Sequence, residues 1–391
     1  MIDSPGEYVL LAGAYNNSGD FLIAQRARRL IESRKPGSKV VELPRNKPLG
    51  GEDLERINAS KALLIAGGPA LRKNLYPAIA PLTEDLNDIK APIIAYGIGW
   101  KDALGGWDRT LRYGLSERTL ALLRRIDRSG YTSSIRDYQS SLVLDRCGIK
   151  NQTVTGCPAL FDIDVGPEPR RSSSPKKIVL SIGTSYRKDD AAIDEIAGIC
   201  TRLKDAFGAE VVAAFHHSID LGSLEQAYGA NDPIVGTHDR TLALKKRLEA
   251  ASIITRDVSG GADDMIDLYR SCDAHIGYRV HAHILMSSMR KPSILFVEDG
   301  RALGLREVIG GMIIDLRSIS PVAPKAPSIW RRMMHPSRSR AREPALARAS
   351  EELALSLLEF EYRQKFPRTE EVWSNIERHK GRMLAFIDAL P

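Results

Sequence analysis

The sequence has only four cysteines, Cys147, Cys157, Cys200 and Cys272, and no two of them form a CxxC pair or stand beside a His-rich partner. That scarcity argues against a disulfide framework and a structural zinc site, and for buried, reduced thiols. No apolar run reaches the roughly 20 residues that a membrane span needs. The first residues, MIDSPGEY, carry acids where a secretory leader would be basic, so a cytoplasmic protein is expected. A strong charge imbalance is also missing: 56 Lys and Arg against 49 Asp and Glu leave +7 over 391 residues. Nucleic-acid binding would need that excess gathered on one face, so no nucleic-acid partner is expected. An anionic small molecule or an anionic membrane surface fits the balance equally well.

What is present is ordinary globular material, 43% hydrophobic and 27% charged. The length exceeds what one core usually serves, which predicts two domains. Short apolar runs recur, each ending in Gly or polar residues and followed by a helical stretch. Strands are predicted at Tyr8–Gly13, Lys39–Leu43, Ala62–Ala66, Pro92–Tyr96 and Thr132–Ile135, with helices at Phe21–Ser33 and Tyr138–Cys147. PEPRRSSSPK, Pro167 to Lys176, holds no large apolar residue and reads as a linker. The alternation then restarts, with strands at Lys177–Ile182, Glu210–Phe215, Ala274–Gly277 and Ser293–Val297, and helices at Ala191–Phe207, Thr241–Ala250, Met265–Cys272 and Val280–Met289. The fold class is α/β, with two parallel, doubly wound sheets and ligands at the carboxyl ends of the strands. The expected division is 1–166, a linker at 167–176, 177–318, and a final segment at 319–391.

That final segment begins Pro-rich and basic, with Arg331, Arg332, Arg338, Arg340 and Arg342 between Pro321 and Pro344. A solvated loop is the plain reading, and a peripheral contact with an anionic lipid or glycan-lipid phosphate is the functional one. Helices are predicted at Ala345–Lys365, with a Leu353, Leu357, Phe360 face, and at Glu370–Ala389.

Four clusters lie where strands hand over to helices. In Asn17-Ser18-Gly19-Asp20 the acid can cap a helix or, facing a ligand, deprotonate a sugar hydroxyl. Gly67-Gly68-Pro69 and Gly97-Ile98-Gly99 let a ligand approach the backbone, but also serve plain turns, and neither forms a GxGxxG or Walker A pattern. In Ser134-Ile135-Arg136-Asp137 the arginine can pair with a neighbouring acid or grip a carboxylate or phosphate. Gly277-Tyr278-Arg279-Val280-His281-Ala282-His283, followed by Asp299-Gly300-Arg301, sets a cation and an imidazole at a helix start that already favours anions. His216, His217, His238, His275 and His335 show no functional arrangement, and His283 is expected to point away from His281.

Taken together, NSGD, AGGP, YGIG, SIRD, TGCPALF, GYRVHAHI and KPSILFVEDGRALGL, in this order from about residue 7 to 310, resemble the polysaccharide pyruvyl transferase family. The resemblance implies a GT-B-like pair of Rossmann-type domains facing across a cleft, with no metal or cofactor. It implies phosphoenolpyruvate as co-substrate and a glycan or lipid-linked glycan as acceptor; the expected location is the cytoplasm, at the inner face of the membrane. It marks Asp20, Arg136, His281 and Arg301 as positions that bear function; with the four clusters, the expected site has His281 and Asp20 as catalytic residues and Arg136, Arg279, Arg301, Asn17, Gly67, Gly68 and Gly277 as substrate-binding. Arg301 stands where relatives often carry Lys, and Cys157 where many carry Asp. Two other readings stay open: a glycosyltransferase on the same architecture, with Glu298 or Asp299 holding a nucleotide-sugar ribose, and a non-catalytic glycan-binding subunit.

Overall fold

A computed structural model describes residues 6–13, 17–164, 172–183, 190–232, 234–315 and 342–391. Pro167–Arg171 of the expected linker lie outside the described residues, as do Arg331, Arg332, Arg338, Arg340 and His335. Ser172–Lys176 form neither helix nor strand.

The first sheet is built from β1 (Glu7–Ala12), β2 (Lys39–Pro44), β3 (Ala62–Ala66), β4 (Ile93–Ile98), β5 (Ser133–Ile135) and β6 (Gln152–Val154). Its helices are α1 (Ser18–Arg34), α2 (Gly51–Ala59), the single turn α3 (Trp107–Thr110), α4 (Glu117–Asp127) and α5 (Tyr138–Arg146). The described strands all pair in parallel, in the order β2-β1-β3-β4-β5-β6. Every residue of β3 and β4 is buried, as expected of central parallel strands covered on both faces.

The second sheet comprises β7 (Lys177–Ser181), β8 (Glu210–Phe215), β9 (Ile254–Asp257), β10 (Ala274–Gly277), β11 (Ser293–Phe296) and β12 (Met312–Ile314). Between its strands run α6 (Asp190–Phe207), α7 (Leu221–Tyr228), α8 (His238–Ala250), α9 (Ala262–Ser271), α10 (Val280–Ser288) and α11 (Gly300–Ile309). It too is parallel, in the order β12-β11-β10-β7-β8-β9. In both sheets the winding reverses once, between β1 and β3 and between β7 and β10. Such reversals open a crevice at the carboxyl ends of the strands, where ligands of doubly wound folds bind.

The two sets of carboxyl ends face one another. Asn17, after β1, bonds Arg279, after β10. Ser18 bonds His216, after β8. Gly300 N donates to the Asp102 carbonyl at 3.0 Å. This is the two-Rossmann-domain, GT-B-like architecture. One apolar cluster runs between the sheets, from Leu22 and Ile23 of α1 to Met286 of α10 and Ile309 of α11. Separate clusters cover the outer face of each sheet.

The last two helices divide between the domains. Helix α12 (Arg342–Arg363) packs on α6, and α13 (Pro367–Asp388) returns to the first domain. The expected Leu353, Leu357, Phe360 face of α12 needs correcting. Ala354, Leu358 and Glu361 form the buried stripe, Leu353 and Leu357 flank it, and Phe360 is exposed. The reason lies in Glu361, whose buried carboxylate accepts from Arg368 N, Thr369 N and Thr369 Oγ1, satisfying the free donors at the start of α13. That bond fixes the rotation of α12 and turns Phe360 outward.

At its far end α13 is pinned to the first domain. Phe386 packs against Tyr96 of β4 with ring centroids 5.3 Å apart, and Arg34 pairs with Asp388. Lys35 Nζ donates to the Leu390 carbonyl at 2.9 Å. Truncating Phe386 to Ala removes a buried ring from the joint core and is expected to cost about 3–5 kcal/mol in urea unfolding. A loss below about 1 kcal/mol would show that the last helix adds little to the fold.

Candidate active site

Asn17 caps α1: its Oδ1 accepts from Gly19 N at 3.2 Å. The capping role expected of Asp20 therefore belongs to Asn17. Asp20 lies in the first turn, half-buried, with Oδ2 accepting from Asn17 Nδ2 at 3.0 Å. A Cβ added at Gly68 would come within 3.5 Å of Asp20 Oδ1 and 3.7 Å of an Arg45 nitrogen, so the Gly67-Gly68 turn backs this carboxylate. Both glycines have positive φ, +40° and +68°, which side-chain-bearing residues adopt at a cost. Arg45, directly after β2, donates to the Ala66 and Gly67 carbonyls and holds that turn.

Arg136 leaves the end of β5 and is 4% exposed. Its Nε donates to Asp137 at 3.0 Å and its NH2 to the Trp100 carbonyl at 2.9 Å. Asp137 in turn caps α5 through Ser140 N and Ser140 Oγ, both at 2.7 Å. The two readings of this pair thus combine, because the acid that caps the helix also orients the arginine. Gly99 makes room for it; a Cβ there would overlap the guanidinium.

Across the seam, Arg279 occupies the N-cap position of α10 with its backbone N–H on Ser181 Oγ, and its NH2 donates to Asn17 Oδ1 at 2.9 Å. Gly277, just before it, packs so closely on Ser181 that a Cβ would overlap the Ser181 carbonyl. His281 lies in the first turn of α10, 6% exposed, and Gly19 presses on its ring: a Cβ at Gly19 would overlap Nδ1. Among the described residues neither ring nitrogen of His281 has a hydrogen-bond partner. Burial pushes its pKa well below the usual range, and Arg301, Arg279 and Arg136 push the same way. His281 is thus where arginines from both domains converge. Arg301 is held by Asp299, which also caps α11. Burial favours the protonated form of Asp299, but Arg301 and Lys101 outweigh it and keep the carboxyl below its ordinary value.

Lys101 and Arg45 were not singled out from the sequence. Lys101 follows β4 and brings Nζ to 3.9 Å from Asp299 Oδ2 of the opposite domain. Burial first, then Arg301, pushes its pKa down to about 8. The available signal was its position just beyond YGIGW, at a strand end. Tyr228 of α7 also faces the cluster: burial raises its pKa, and Asp20 adds to the effect.

Among the described residues, His216, His217, His238, His275 and His283 are bonded into the interior or its edges. His216 bridges Ser18 Oγ and Tyr269 OH at 2.9 and 2.7 Å. His275 joins Ser181 Oγ to Ser293 Oγ at 2.8 and 2.7 Å, and Ser293 Oγ also meets His283 Nδ1 at 2.7 Å. His217 meets Tyr228 OH and His238 the Ile219 carbonyl. Cys157 is buried, and burial raises its thiol to about 11. Among the described residues no group of His, Cys, Asp and Glu converges as a metal site would, and no helix is long and apolar enough to cross a membrane.

The site is a cluster of cations at the joined strand ends of two Rossmann-type domains. The family model for polysaccharide pyruvyl transferases matches residues 17–300, and the chain belongs to that family of transferases. Among curated proteins none matches it in sequence. Solved structures similar to it include S. aureus MnaA with UDP, at 11% identity and TM-score 0.48 over 99% of each chain. A UDP-GlcNAc 2-epimerase from Methanocaldococcus jannaschii shows 10% identity and TM-score 0.44 over 79% of this chain and 88% of that one. A ugt transferase from Siraitia grosvenorii, in complex with UDP, shows 11% and 0.42 over 97% and 99%.

The buried imidazoles make stability fall in acid. Burial depresses His216, His275 and His281 well below 6.5 and takes His283 down to about 3. The unfolded chain binds protons on these residues below about pH 6.5 while the folded chain does not, so their stabilisation is complete above that pH. It is lost as pH falls toward the folded values, by up to about 1.4 kcal/mol per pH unit for each residue. Urea midpoints at pH 7, 6 and 5 should drop increasingly; a flat profile would mean that these rings are protonated in the fold.

Proposed function

We propose that the chain transfers the pyruvyl group of phosphoenolpyruvate to a sugar hydroxyl of a cell-surface polysaccharide or its precursor, leaving a pyruvate ketal. The observation that carries this reading is the convergence of Arg136, Arg279 and Arg301 on a buried, unbonded His281 at a helix start. Phosphoenolpyruvate brings a carboxylate and a phosphate on three carbons, and its recognition needs cations on several sides at short range. The N–H groups at the start of α10 have no acceptors within the helix and add donors aimed at an anion.

In this reading His281 gives a proton to the donor's methylene carbon, which becomes a methyl group, and the central carbon takes on oxocarbenium character. A sugar hydroxyl adds to that carbon and its proton passes to Asp20. The C–O bond to phosphate breaks, the cations hold the departing anion, and a second hydroxyl closes the ketal as its proton leaves with the phosphate. The proton on Asp20 then returns to His281 through solvent, so that over the cycle one hydroxyl proton replaces the one given to the methyl group and the other leaves on hydrogen phosphate. Asp20 and His281 approach from different domains, so acceptor and donor are drawn from opposite walls. Of the two acids that the nucleotide-sugar reading would use for a ribose, Asp299 is bound to Arg301 and to its own helix, and Glu298 lies close enough to Arg279 and Lys101 to raise their pKa values. The absence of a cofactor and the acceptor's glycan nature remain part of this proposal, as does a membrane contact through the Arg-rich stretch.

With the site empty, the surrounding arginines and burial keep His281 neutral near pH 7. A multiply charged anion among those arginines reverses the local field and favours imidazolium. Donor binding should therefore take up close to one proton at pH 7, read from calorimetric titrations in buffers of different ionisation heat. His281→Gln should abolish most of this uptake, leaving a small contribution from Lys101; equal uptake in both proteins would remove His281 as the acid.

A thermal-shift titration tests the donor. A saturable rise is expected with phosphoenolpyruvate, lost in folded Arg136→Ala and His281→Ala proteins, and turnover should fall about 10²–10⁴-fold in His281→Ala. A response to UDP-sugars with none to phosphoenolpyruvate would overturn the proposal.

A further inference from the structure

A second group of cations lies at the opposite end of the first sheet. Lys90, Arg124, Arg125 and Arg128, with Asn87 and Ser129, line a groove of about 620 Å³ against the amino end of β4. The active-site cluster lies at the carboxyl end of the same strand, about 20 Å away by the length of a six-residue strand. Among the described residues none of the four cations has a carboxylate partner. Lys90 Nζ donates to the Asn87 carbonyl and Arg125 NH2 to that of Ile89. Arg125 Nε is buried with no acceptor at all.

The carboxyl end of α4 accounts for part of this, since its last turn favours positive charge. It does not account for Lys90, which comes from a separate segment before β4. Nor does it account for four cations gathered around one groove with no carboxylate among the described residues paired to any of them, whose mutual repulsion an anion would offset. A concave surface lined by four cations without carboxylate partners is complementary to a compact multivalent anion.

We propose that this groove is a second anion site, distinct from the cleft, and that it takes a phosphate-bearing ligand. Asn87 and Ser129 supply neutral polar groups, and the planar guanidinium groups of Arg124 and Arg128 offer paired donors that match phosphate oxygens. A soluble di- or polyphosphate and a phosphate-bearing lipid headgroup present the same chemistry.

The test compares the whole protein with an Arg124→Gln/Arg128→Gln variant, whose changed side chains are exposed and leave the core intact. Equilibrium dialysis with labelled pyrophosphate should show one fewer ion bound per chain in the variant, or about tenfold weaker binding at one site. In parallel, sedimentation with phosphatidylcholine vesicles, with and without phosphatidic acid, separates the sources. A loss confined to pyrophosphate assigns a soluble ligand, and a loss of phosphatidic-acid-dependent sedimentation assigns a headgroup. If the variant retains both, or the parent binds neither outside the cleft, the groove is not an anion site.

Discussion

The bond from Arg279 to Asn17 joins the residues that cap α10 and α1, so it holds two helix N-termini against each other across the domain seam. Both ends carry partial positive charge and unsatisfied N–H groups. Around them lie Arg136, Arg301 and Lys101, with Arg45 behind Asp20. Burial first, and then the neighbouring Arg301, pushes the pKa values of Arg279 and Lys101 down, so the gathering carries an electrostatic cost. The surrounding structure sustains it: Asp137 and Asp299 each bind one arginine and cap one helix, so orienting a cation and starting a helix are the same interaction. The repulsion that remains is relieved only by an anion.

The buried hydroxyl–imidazole chain supports this arrangement from below. Ser181 Oγ accepts from Arg279 N on one side and meets His275 on the other. His275 then reaches Ser293, and Ser293 reaches His283 in the second turn of α10. The helix carrying His281 is thereby tied at two levels to β7 and β11. Neutral imidazoles suit the task, since each offers one donor and one acceptor and adds no charge beneath a site already crowded with cations. His281 itself stands apart from this chain, its ring positioned by the contact with Gly19 rather than by a hydrogen bond.

Much of the fold was legible because parallel strands covered on both faces are apolar runs with abrupt ends. β3, β8 and β10 coincide with the runs read from Ala62–Ala66, Glu210–Phe215 and Ala274–Gly277. The strands that went unread are edges: β6 is QTV and β9 is ITRD with three of its four residues exposed, so neither carries a hydrophobic pattern, and β12, MII, is apolar but only three residues long. Helix α11 escaped because it is buried nearly all round and lacks a polar face to set its period. In the site, residues within a local motif were visible: Asn17 and Asp20, Arg136 beside Asp137, Arg279 beside His281. Lys101 and Arg45 were not, since a lone cation after a strand has no pattern until the opposite domain supplies its partner. The roles of His216 and His275 depend on Ser18 and Ser181, 198 and 94 residues away in the chain, which no local spacing encodes.

The chain's return to its beginning bears on how the cleft is held. Helix α13 touches α1 and β5 of the first domain as well as α10 and α11 of the second, and its end is fastened beside β1 by Lys35 and Arg34. The helices it spans carry Asn17, Asp20, His281 and Arg301. It therefore packs against the back of the scaffolds that present both walls of the site, while the front is joined by polar bonds and by the close approach of Gly105 to Gly300. An apolar brace behind and hydrogen bonds in front have different consequences. Apolar packing keeps the helices in register without directional demands, whereas the Arg279–Asn17 bond competes with any anion that draws the guanidinium toward itself.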